Sequence, residues 1–341
     1  MKASPATGAE VQGWDELVVA TGRPHLLQSA AWAQVKATTT WGVRRFVLSD
    51  DRGAFHGVAQ VLTKSLPLGV TVAYAPRGPL VEPERLVDAI SALRDALARE
   101  RCASLLCDPE APVEAGLLDE LRRAGVRRSA VFVQPRRTLL VDLGLDPDAL
   151  LAAMKKKTRQ YIHKAERAGV VTEETSDLDR FLAVLRAVAD RDRFALHSHS
   201  YFERLLAALG DGAQMLMARV GGEDVGALLI ARLADRAWEL YGGWSGAHGE
   251  SRPFYLLKWR AMLRMRAQGA RRYDMWGLTD HRGDDQAGGG RADPLAGVEH
   301  FKLGFGGEVA EWVGALEIPV RPMLYPLWRL GARRRLARSA A

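Results

Sequence analysis

The sequence predicts a mixed α/β protein built from two similar modules in tandem. The chain has 341 residues, which is more than one core of ordinary size accommodates and suits two domains. Hydrophobic residues make up 48% and charged residues 26% of the chain, a composition that buries enough apolar surface to fold and excludes disorder. In addition, a strand–helix–strand pattern occurs twice with equal spacing, which indicates an internal duplication.

The first module consists of short apolar segments around an amphipathic helix. Leu86, Ile90, Leu93 and Leu97 recur at helical spacing and predict a helix over 84–99. The apolar run that follows predicts a buried strand. Periodicity predicts further helices near 30–37 and 115–124, and strands near 43–48, 57–62, 70–75 and 103–107.

The second module repeats this plan. The number of residues from Gly57 to Cys107 equals the number from Gly226 to Trp276. Both intervals run from a predicted strand through a predicted helix to a second strand. We therefore predict a first domain over 1–143, with 317–341 packing back on it, and a second over 144–316. The predicted elements of the second module are strands at 215–220, 225–233, 238–244 and 272–276, and a helix at 253–268.

A basic helix is predicted to link the modules. Asp146 and Pro147 form a helix-start signal, and the helix is expected to run to about Ala168, with Gly169 as its stop. One face stacks basic side chains at spacings of three and four residues: Lys156, Arg159, His163 and Arg167. That face is either solvated surface or a binding surface for a polyanion.

Composition also bounds the compartment and the partners. The chain has two cysteines, Cys102 and Cys107, whose spacing suits neither a disulfide framework nor structural zinc. We expect no metal and no cofactor. The N-terminus lacks a signal-peptide core and no stretch is apolar enough for a membrane span, so we expect a cytoplasmic protein. We also expect a monomer. The net charge is +7, and the Arg-rich segment 321–338 could rest on an anionic membrane leaflet.

Two turns in the first module carry candidate polar groups. The segment 74–79, Tyr-Ala-Pro-Arg-Gly-Pro, presents Tyr74 and Arg77 to a ligand or is an ordinary strand-ending turn. Asp108 follows the buried strand, at the carboxyl end where α/β proteins place ligand contacts, although a capping role is equally consistent.

Two segments of the second module are candidates for substrate contact. In Tyr241-Gly242-Gly243, the small residues admit a substrate to the backbone or form a bulge. In 301–307, Phe-Lys-Leu-Gly-Phe-Gly-Gly, Lys302 lies between aromatic residues and glycines. There it could stabilise an oxyanion, bind a phosphate or remain a surface side chain. The pair His197-x-His199 lacks a third metal ligand and is interpreted as loop polarity.

Taken together, these segments resemble the Fem family, aminoacyl-tRNA-dependent ligases that add amino acids to the stem peptide of peptidoglycan precursors. The resemblance implies two tandem GNAT-type acetyltransferase domains, and the chain lacks an insertion long enough for the coiled-coil arm of some members. The segments that carry it lie in the expected order at 27–36, 74–79, 108–109, 155–169, 241–243 and 301–307.

The resemblance also implies roles for individual residues. Lys36 is expected to hold the diphosphate of the precursor, and His197, with Arg191 and Arg193 nearby, stands where the family has an arginine for the same purpose. The expected contacts to the acceptor are Tyr74, Arg77, Tyr201, Tyr241 and Gly242. Lys302 and Phe301 are expected at the tRNA terminus. The expected contacts to the tRNA backbone are Lys156, Arg159, His163 and Arg167.

The implied reaction is aminolysis of the aminoacyl-tRNA ester by an amine of UDP-MurNAc-pentapeptide or lipid II. Asp108 is a candidate base by location only, and proton transfer through the substrate's own ribose or phosphate groups is equally consistent. A rival is a coenzyme A-dependent N-acyltransferase, yet no Gly-x-Gly or Gly-x-Ala turn for pyrophosphate follows Arg or Gln between Tyr241 and Pro253. A non-catalytic RNA-binding protein is the third alternative, and it leaves the segment around Lys302 unexplained.

Overall fold

The computed structural model describes residues 1–66, 69–129, 131–279 and 296–329, without the side chains of Ala296, Leu327 and Arg329. The chain divides into two compact units. Unit 1 comprises Met1–Arg136 and the described residues from Glu311 onward, and unit 2 comprises Arg137–Ala310. Residues 330–341 of the predicted C-terminal return, including most of the Arg-rich segment, lie outside the described residues.

The described part of unit 1 contains a seven-stranded sheet in the order β1-β2-β3-β4-β5-β14-β6. Strands β4 and β5 are parallel, and helix α4 (Leu86–Ala98) connects them. The other neighbouring strand pairs of this sheet are antiparallel. The strands are β1 (Lys2–Pro5), β2 (Gly42–Ser49), β3 (Phe55–Ser65), β4 (Thr71–Ala75), β5 (Cys102–Cys107), β6 (Arg127–Arg128) and β14 (Leu316–Pro319).

The described part of unit 2 repeats this arrangement in the order β8-β9-β10-β11-β12-β7-β13. Here β11 and β12 are the parallel pair, and helix α10 (Pro253–Ala267) connects them. In each sheet five consecutive strands lie side by side in chain order, β1 to β5 in unit 1 and β8 to β12 in unit 2, which supports an internal duplication. The strands are β7 (Arg137–Asp142), β8 (Val171–Thr175), β9 (Ala213–Val220), β10 (Glu223–Leu233), β11 (Arg236–Trp244), β12 (Arg272–Asp274) and β13 (Glu308–Glu311).

The longer helices cover the sheets because their apolar residues need burial. In α4, the four apolar residues that predicted the helix are all buried: Leu86, Ile90, Leu93 and Leu97. The helices are α1 (Gly8–Gln12), α2 (Trp14–Ala20), α3 (Ala30–Ala37), α4 (Leu86–Ala98), α5 (Ala115–Arg123), α6 (Pro147–Ala153), α7 (Lys156–Arg167), α8 (Leu178–Asp192), α9 (His199–Leu209), α10 (Pro253–Ala267), α11 (Ala296–Lys302) and α12 (Tyr325–Arg329). Within the described segments, none of the helices combines the length and apolar character needed to cross a lipid bilayer.

Two predictions about the linking region require correction. The boundary between the units lies after Arg136 rather than after 143, because β7 pairs with β12 in the sheet of unit 2. The predicted single helix is two helices, since Met154 and Lys155 adopt extended backbone conformations between α6 and α7. The Lys155 N–H donates to the carbonyl of Gly304 at 2.9 Å, and the Arg159 guanidinium donates to the carbonyl of Met154. These bonds stabilise the break.

Candidate active site

A pocket opens in unit 2 where the two parallel strands separate. β11 and β12 pair only as far as Trp238 and Asp274, after which β11 continues to Trp244 paired with β10 but not with β12. Residues from Glu239 to Trp244 line one side of a cavity of about 610 Å³, and Met275 and Trp276 line another. This volume lies within the range of about 300–1,000 Å³ typical of small-molecule sites.

The strands separate because the chain after β12 continues along β7 and no longer pairs with β11. The Met275 N–H donates to the carbonyl of Leu139, and the Leu278 N–H donates to that of Arg137, so this segment runs along β7. Trp276 turns the chain with a positive φ of 51°, and its N–H donates to the Asp274 carboxylate at 2.8 Å.

On the other side of the opening, the end of β11 is bulged and packed closely. Leu229 lies opposite Tyr241 and Ile230 opposite Glu239, so Leu240 is an extra residue, and such a β-bulge bends its strand. A Cβ on Gly242 would lie 2.6 Å from Leu228 Cδ1, and one on Gly243 would lie 2.7 Å from Val188 Cγ1. Both glycines are therefore required by packing, and Gly242 also lines the pocket.

Buried charges form one wall of the pocket. Lys258 and Glu239 make an ion pair with side chains 3% and 6% exposed, and the Tyr273 hydroxyl donates to the same carboxylate at 2.9 Å. Lys258 and Glu239 line the cavity together with Lys302. Charged side chains are seldom retained in such a position without a partner or a function.

Lys302 is fixed at the end of α11. Its Nζ donates to the carbonyls of Trp276 and Gly277, the latter at 2.7 Å. Burial, together with the positive charge of Lys258, lowers the pKa of Lys302 from 10.5 to about 8, although Glu239 and Asp274 act in the opposite direction. An ammonium has three donors, so two bonds to carbonyls leave one for a ligand in the pocket.

The glycines after Lys302 allow its segment to pack against neighbouring backbone. A Cβ on Gly304 would lie 2.4 Å from Thr158 Oγ1, and one on Gly306 would lie 2.7 Å from the carbonyl oxygen of Ala153. Phe301 stacks on Phe254 at 5.7 Å and lines the pocket. The structure thus places Lys302 and Phe301 together at the cavity, and their expected role at the tRNA terminus stays a prediction.

A second predicted group adjoins this cavity. Tyr201 and Tyr241 share a hydrogen bond of 3.1 Å between their hydroxyls, and the His197 ring stacks on Tyr201 with centroids 4.1 Å apart. Burial raises the pKa of both tyrosines, so each keeps its hydroxyl proton at neutral pH. Tyr241 lines the cavity, and His197 is exposed.

In unit 1, Asp108, Tyr74 and Arg77 form a closed network. The Asp108 carboxylate accepts hydrogen bonds from the Tyr74 hydroxyl at 2.8 Å and from the Arg77 N–H at 2.6 Å. The three residues are at most 4% exposed, and burial raises the pKa of Asp108 despite the nearby Arg77. This geometry favours a bracing role for the turn over contact with a substrate, because both carboxylate oxygens already have donors.

The segment 27–36, which contains Lys36, also includes a residue with a structural role. Gln28 donates to the carbonyls of Gln60 and Pro76, which joins β3 to the turn that contains the cis peptide Gly78–Pro79. Lys36 is 4% exposed and its Nζ lies 4.7 Å from the Trp32 ring centroid. Burial lowers the pKa of Lys36 to about 8. Its predicted contact with a diphosphate stays a prediction.

The predicted tRNA-binding residues all lie on α7, but two of them are engaged within unit 2. The Arg159 guanidinium binds carbonyls at the end of α6, and His163 Nδ1 lies 3.1 Å from the Glu166 carboxylate. Lys156 and Arg167 are exposed.

Sequence reasoning missed Glu239, Lys258 and Arg252, all of which line the cavity. Two of them have a signal that could have been used. Glu239 interrupts an apolar strand between Trp238 and Leu240, and Lys258 lies within an apolar stretch of α10. A charge at a position predicted to be buried is a candidate for function.

Comparison with known proteins assigns the family. The profile of the FemAB family matches residues 10–225. The chain belongs to the FemAB family. A second profile, an acetyltransferase (GNAT) domain, matches residues 152–302 of this FemAB protein. The family resemblance inferred from the sequence is thereby confirmed, and the two matches support the prediction of a transferase.

One relative of this FemAB protein is the lipid II:glycine glycyltransferase of Staphylococcus aureus strain MRSA252. It is 29% identical over 213 residues, which cover 58% of this chain and 50% of the relative. The chain therefore spans about half the length of the curated relatives it matches.

Two solved structures share the fold of this FemAB protein. FemX superposes with a TM-score of 0.82 and 21% identity, covering 97% of this chain and 100% of the FemX chain. A tandem GNAT protein from the clavulanic acid biosynthesis pathway, solved without AcCoA, has a TM-score of 0.53 and 18% identity, and the match covers 94% of this chain and 98% of that one. The predicted fold class, two GNAT-like domains with mixed sheets flanked by helices, is confirmed.

Proposed function

We propose that this FemAB protein transfers an amino acid from aminoacyl-tRNA to an amine on the stem peptide of a peptidoglycan precursor. The observation that carries the proposal is Lys302, which lies in a pocket of unit 2 with two of its three donors bound to carbonyls. Family membership and the name of the staphylococcal relative support a peptidoglycan precursor as the acceptor.

The proposed chemistry is the conversion of an ester to an amide. The acceptor amine attacks the ester carbonyl, a C–N bond forms, and the C–O bond to the terminal ribose breaks. The amine proton passes to the departing ribose oxygen through groups of the substrates themselves, since Asp108 has donors on both carboxylate oxygens. The free N–H of Lys302 stabilises the oxyanion formed between these two steps.

We assign the acceptor side of the reaction to the aromatic group formed by Tyr201, Tyr241 and His197. Tyr241 lines the same cavity as Lys302, so an acceptor bound by the tyrosine hydroxyls would approach an ester held at the lysine. Hydroxyl groups that remain protonated can donate to peptide carbonyls of the stem. Positioning of this kind is the main requirement, because the ester is already activated.

The test supplies both substrates and measures product mass. The protein is incubated with mixed aminoacyl-tRNA and with UDP-MurNAc-pentapeptide or lipid II in parallel. We expect a one-residue increase in the mass of one precursor, lost when the tRNA is deacylated first. The product mass identifies the amino acid, and the precursor that reacts identifies the carrier. No mass increase with either precursor would refute the proposal.

Coenzyme A-dependent N-acyltransfer is a second candidate function. It is favoured by the GNAT domain match over residues 152–302, which includes the pocket between β11 and β12. Acetyl-CoA in place of aminoacyl-tRNA distinguishes the two candidates: transfer of an acetyl group would support the second. Retention of tRNA without any product would support the third alternative, a non-catalytic RNA-binding protein.

A further inference from the structure

A cationic and aromatic cluster lies at one edge of the pocket in unit 2. Arg252 immediately precedes α10 and lines the cavity. It is partly exposed, whereas Lys258, about one and a half helical turns further along, is buried. Arg252 therefore occupies the solvent-facing edge, which we call the pocket mouth. Its backbone has a positive φ of 56°, a costly conformation for a residue with a side chain, and one that occurs often at ligand sites.

The side chain of Arg252 is held by a ring. Its guanidinium carbon lies 4.4 Å from the centroid of Tyr161 on α7. Tyr161 also packs edge-on against Tyr255 at 4.9 Å, and Lys157 Nζ lies 5.6 Å from the same ring. We call Lys157, Tyr161 and Arg252 the mouth cluster.

The two helices place further cations at this end of the pocket. Tyr161 contacts Tyr255 and, further along both helices, Glu166 pairs with Arg260 at 3.0 Å. The helices α7 and α10 therefore run in the same direction, and the first turn of α7 lies near Arg252. That turn follows Lys155, contains Lys156 and Lys157, and has no acidic residue.

The charge of the mouth cluster is not neutralised by carboxylates within the described residues. Arg252 and Lys157 have no ion pair there, and Arg252 Nε is buried without a hydrogen-bond partner. By contrast, Arg260 and Arg264 on the same helix α10 pair with glutamates. Lysines near a helix N-terminus are also repelled by the helix dipole. An anionic ligand at this position would offset both costs.

We propose that the mouth cluster binds the single-stranded 3′ end of an RNA donor, with Arg252 and Lys157 on phosphates next to the nucleotide in the pocket. This inference rests on the proposed function, since it takes aminoacyl-tRNA as the donor. Proteins recognise single-stranded RNA by combining cations for the backbone with aromatic rings or arginine planes on which bases stack. Arg252, supported by Tyr161, offers such a plane at the cavity edge.

The mouth cluster differs from the basic face predicted from the sequence. Successive residues in a helix are about 100° apart, so Lys157 lies on a different face from Lys156. Arg186 is exposed and lies on α8 rather than on α7 or α10. It supplies a matched control, because Arg186→Met removes the same charge at a position outside both the predicted basic face and the mouth cluster.

The experiment measures RNA binding without requiring catalysis. A fluorescent RNA minihelix ending in single-stranded cytidine-cytidine-adenosine is titrated with wild type and with the variants Lys157→Met, Arg252→Met and Arg186→Met. We expect about a tenfold loss of affinity for each of the first two and a salt dependence weaker by about one ion, as for a lost phosphate contact. Arg186→Met should bind like wild type. Tyr161→Ala should resemble Arg252→Met, and Tyr161→Phe should restore binding because the ring is retained.

Three outcomes would overturn the proposal. In the first, Arg186→Met weakens binding as much as Arg252→Met, which indicates diffuse electrostatic attraction. In the second, the variants lose binding to anionic phosphatidylglycerol vesicles but not to the minihelix, which indicates a lipid surface. A parallel transfer assay with aminoacyl-adenosine, which lacks the neighbouring nucleotides, separates this proposal from the proposed function. Transfer from that donor by wild type, with minihelix binding unaffected in every variant, would refute the mouth cluster alone.

Discussion

Replacing Lys302 with methionine should separate stability from activity. Lowering the lysine pKa from 10.5 to about 8 corresponds to about 3 kcal/mol of disfavoured charge at pH 7. The variant also loses the two hydrogen bonds to the carbonyls of Trp276 and Gly277. Their loss costs about 1–2 kcal/mol of stability and offsets part of the gain from removing the charge. We therefore expect Lys302→Met to be more stable than wild type by about 1–2 kcal/mol at pH 7. Transfer should fall about 10²- to 10³-fold, as expected for loss of an oxyanion donor.

The pH dependence of unfolding checks the origin of this gain. Between pH 8 and 10.5 the unfolded wild type binds a proton on Lys302 that the folded protein has released, so wild-type stability rises with pH across this window. The variant lacks that rise, and its advantage should disappear near pH 10. Urea unfolding at pH 7 and pH 10 measures the difference, with Lys156→Met as the control for loss of an exposed lysine. A variant that is less stable at pH 7 and transfers at the wild-type rate would refute the reasoning.

Three further outcomes are expected. The transfer rate should fall as the pH rises through about 8, where Lys302 loses its proton, and Lys258→Met should move this decline to higher pH by removing a nearby positive charge; a pH–rate profile without such a shift contradicts the assignment. Gly304→Ala should lower the free energy of unfolding by about 1–3 kcal/mol, because its Cβ would meet Thr158 Oγ1, and adding Thr158→Ala should recover part of the loss in urea titrations. Asp108→Asn should cost about 1–3 kcal/mol of stability but leave transfer per folded molecule within about threefold, whereas a drop of 10²-fold or more would restore Asp108 as a general base.

Local patterns predicted most of the helices and strands. They did not predict the break between α6 and α7 or the boundary between the two units. The alternation in β2 and the apolar spacing in α4 depend on neighbours in sequence, so periodicity detects them. The break between α6 and α7 depends instead on Gly304 and Arg159, which act through tertiary contacts and a side chain five residues away. The pairing of β7 with the second sheet is likewise a long-range contact, and no local pattern specifies it.

The candidate site was predictable only where a residue type was unusual for its surroundings. Lys302 was found because a lysine lies between aromatic residues and glycines, and the structure places it at the cavity. Lys258 and Glu239 escaped notice because their pairing across nineteen positions is visible only after folding. Arg252 likewise gains its position from Tyr161, which lies on another helix.

Both units contain a parallel strand pair, but the ends of the two pairs differ. Unit 2 has a pocket there, and unit 1 has a turn held by hydrogen bonds. In unit 1, β4 ends at Ala75 where its pairing with Cys107 ends, and Asp108 then ties the following turn through Tyr74 and Arg77. In unit 2, β11 continues beyond its last partner in β12, and this stretch, which still pairs with β10, lines the cavity. The same kind of parallel strand pair therefore yields a closed end when the strands stop together and an open one when one strand extends. A polar residue at the carboxyl end of a buried strand indicates ligand contact only in the second case, which is why Asp108 had the position of a catalytic residue and the bonding of a structural one.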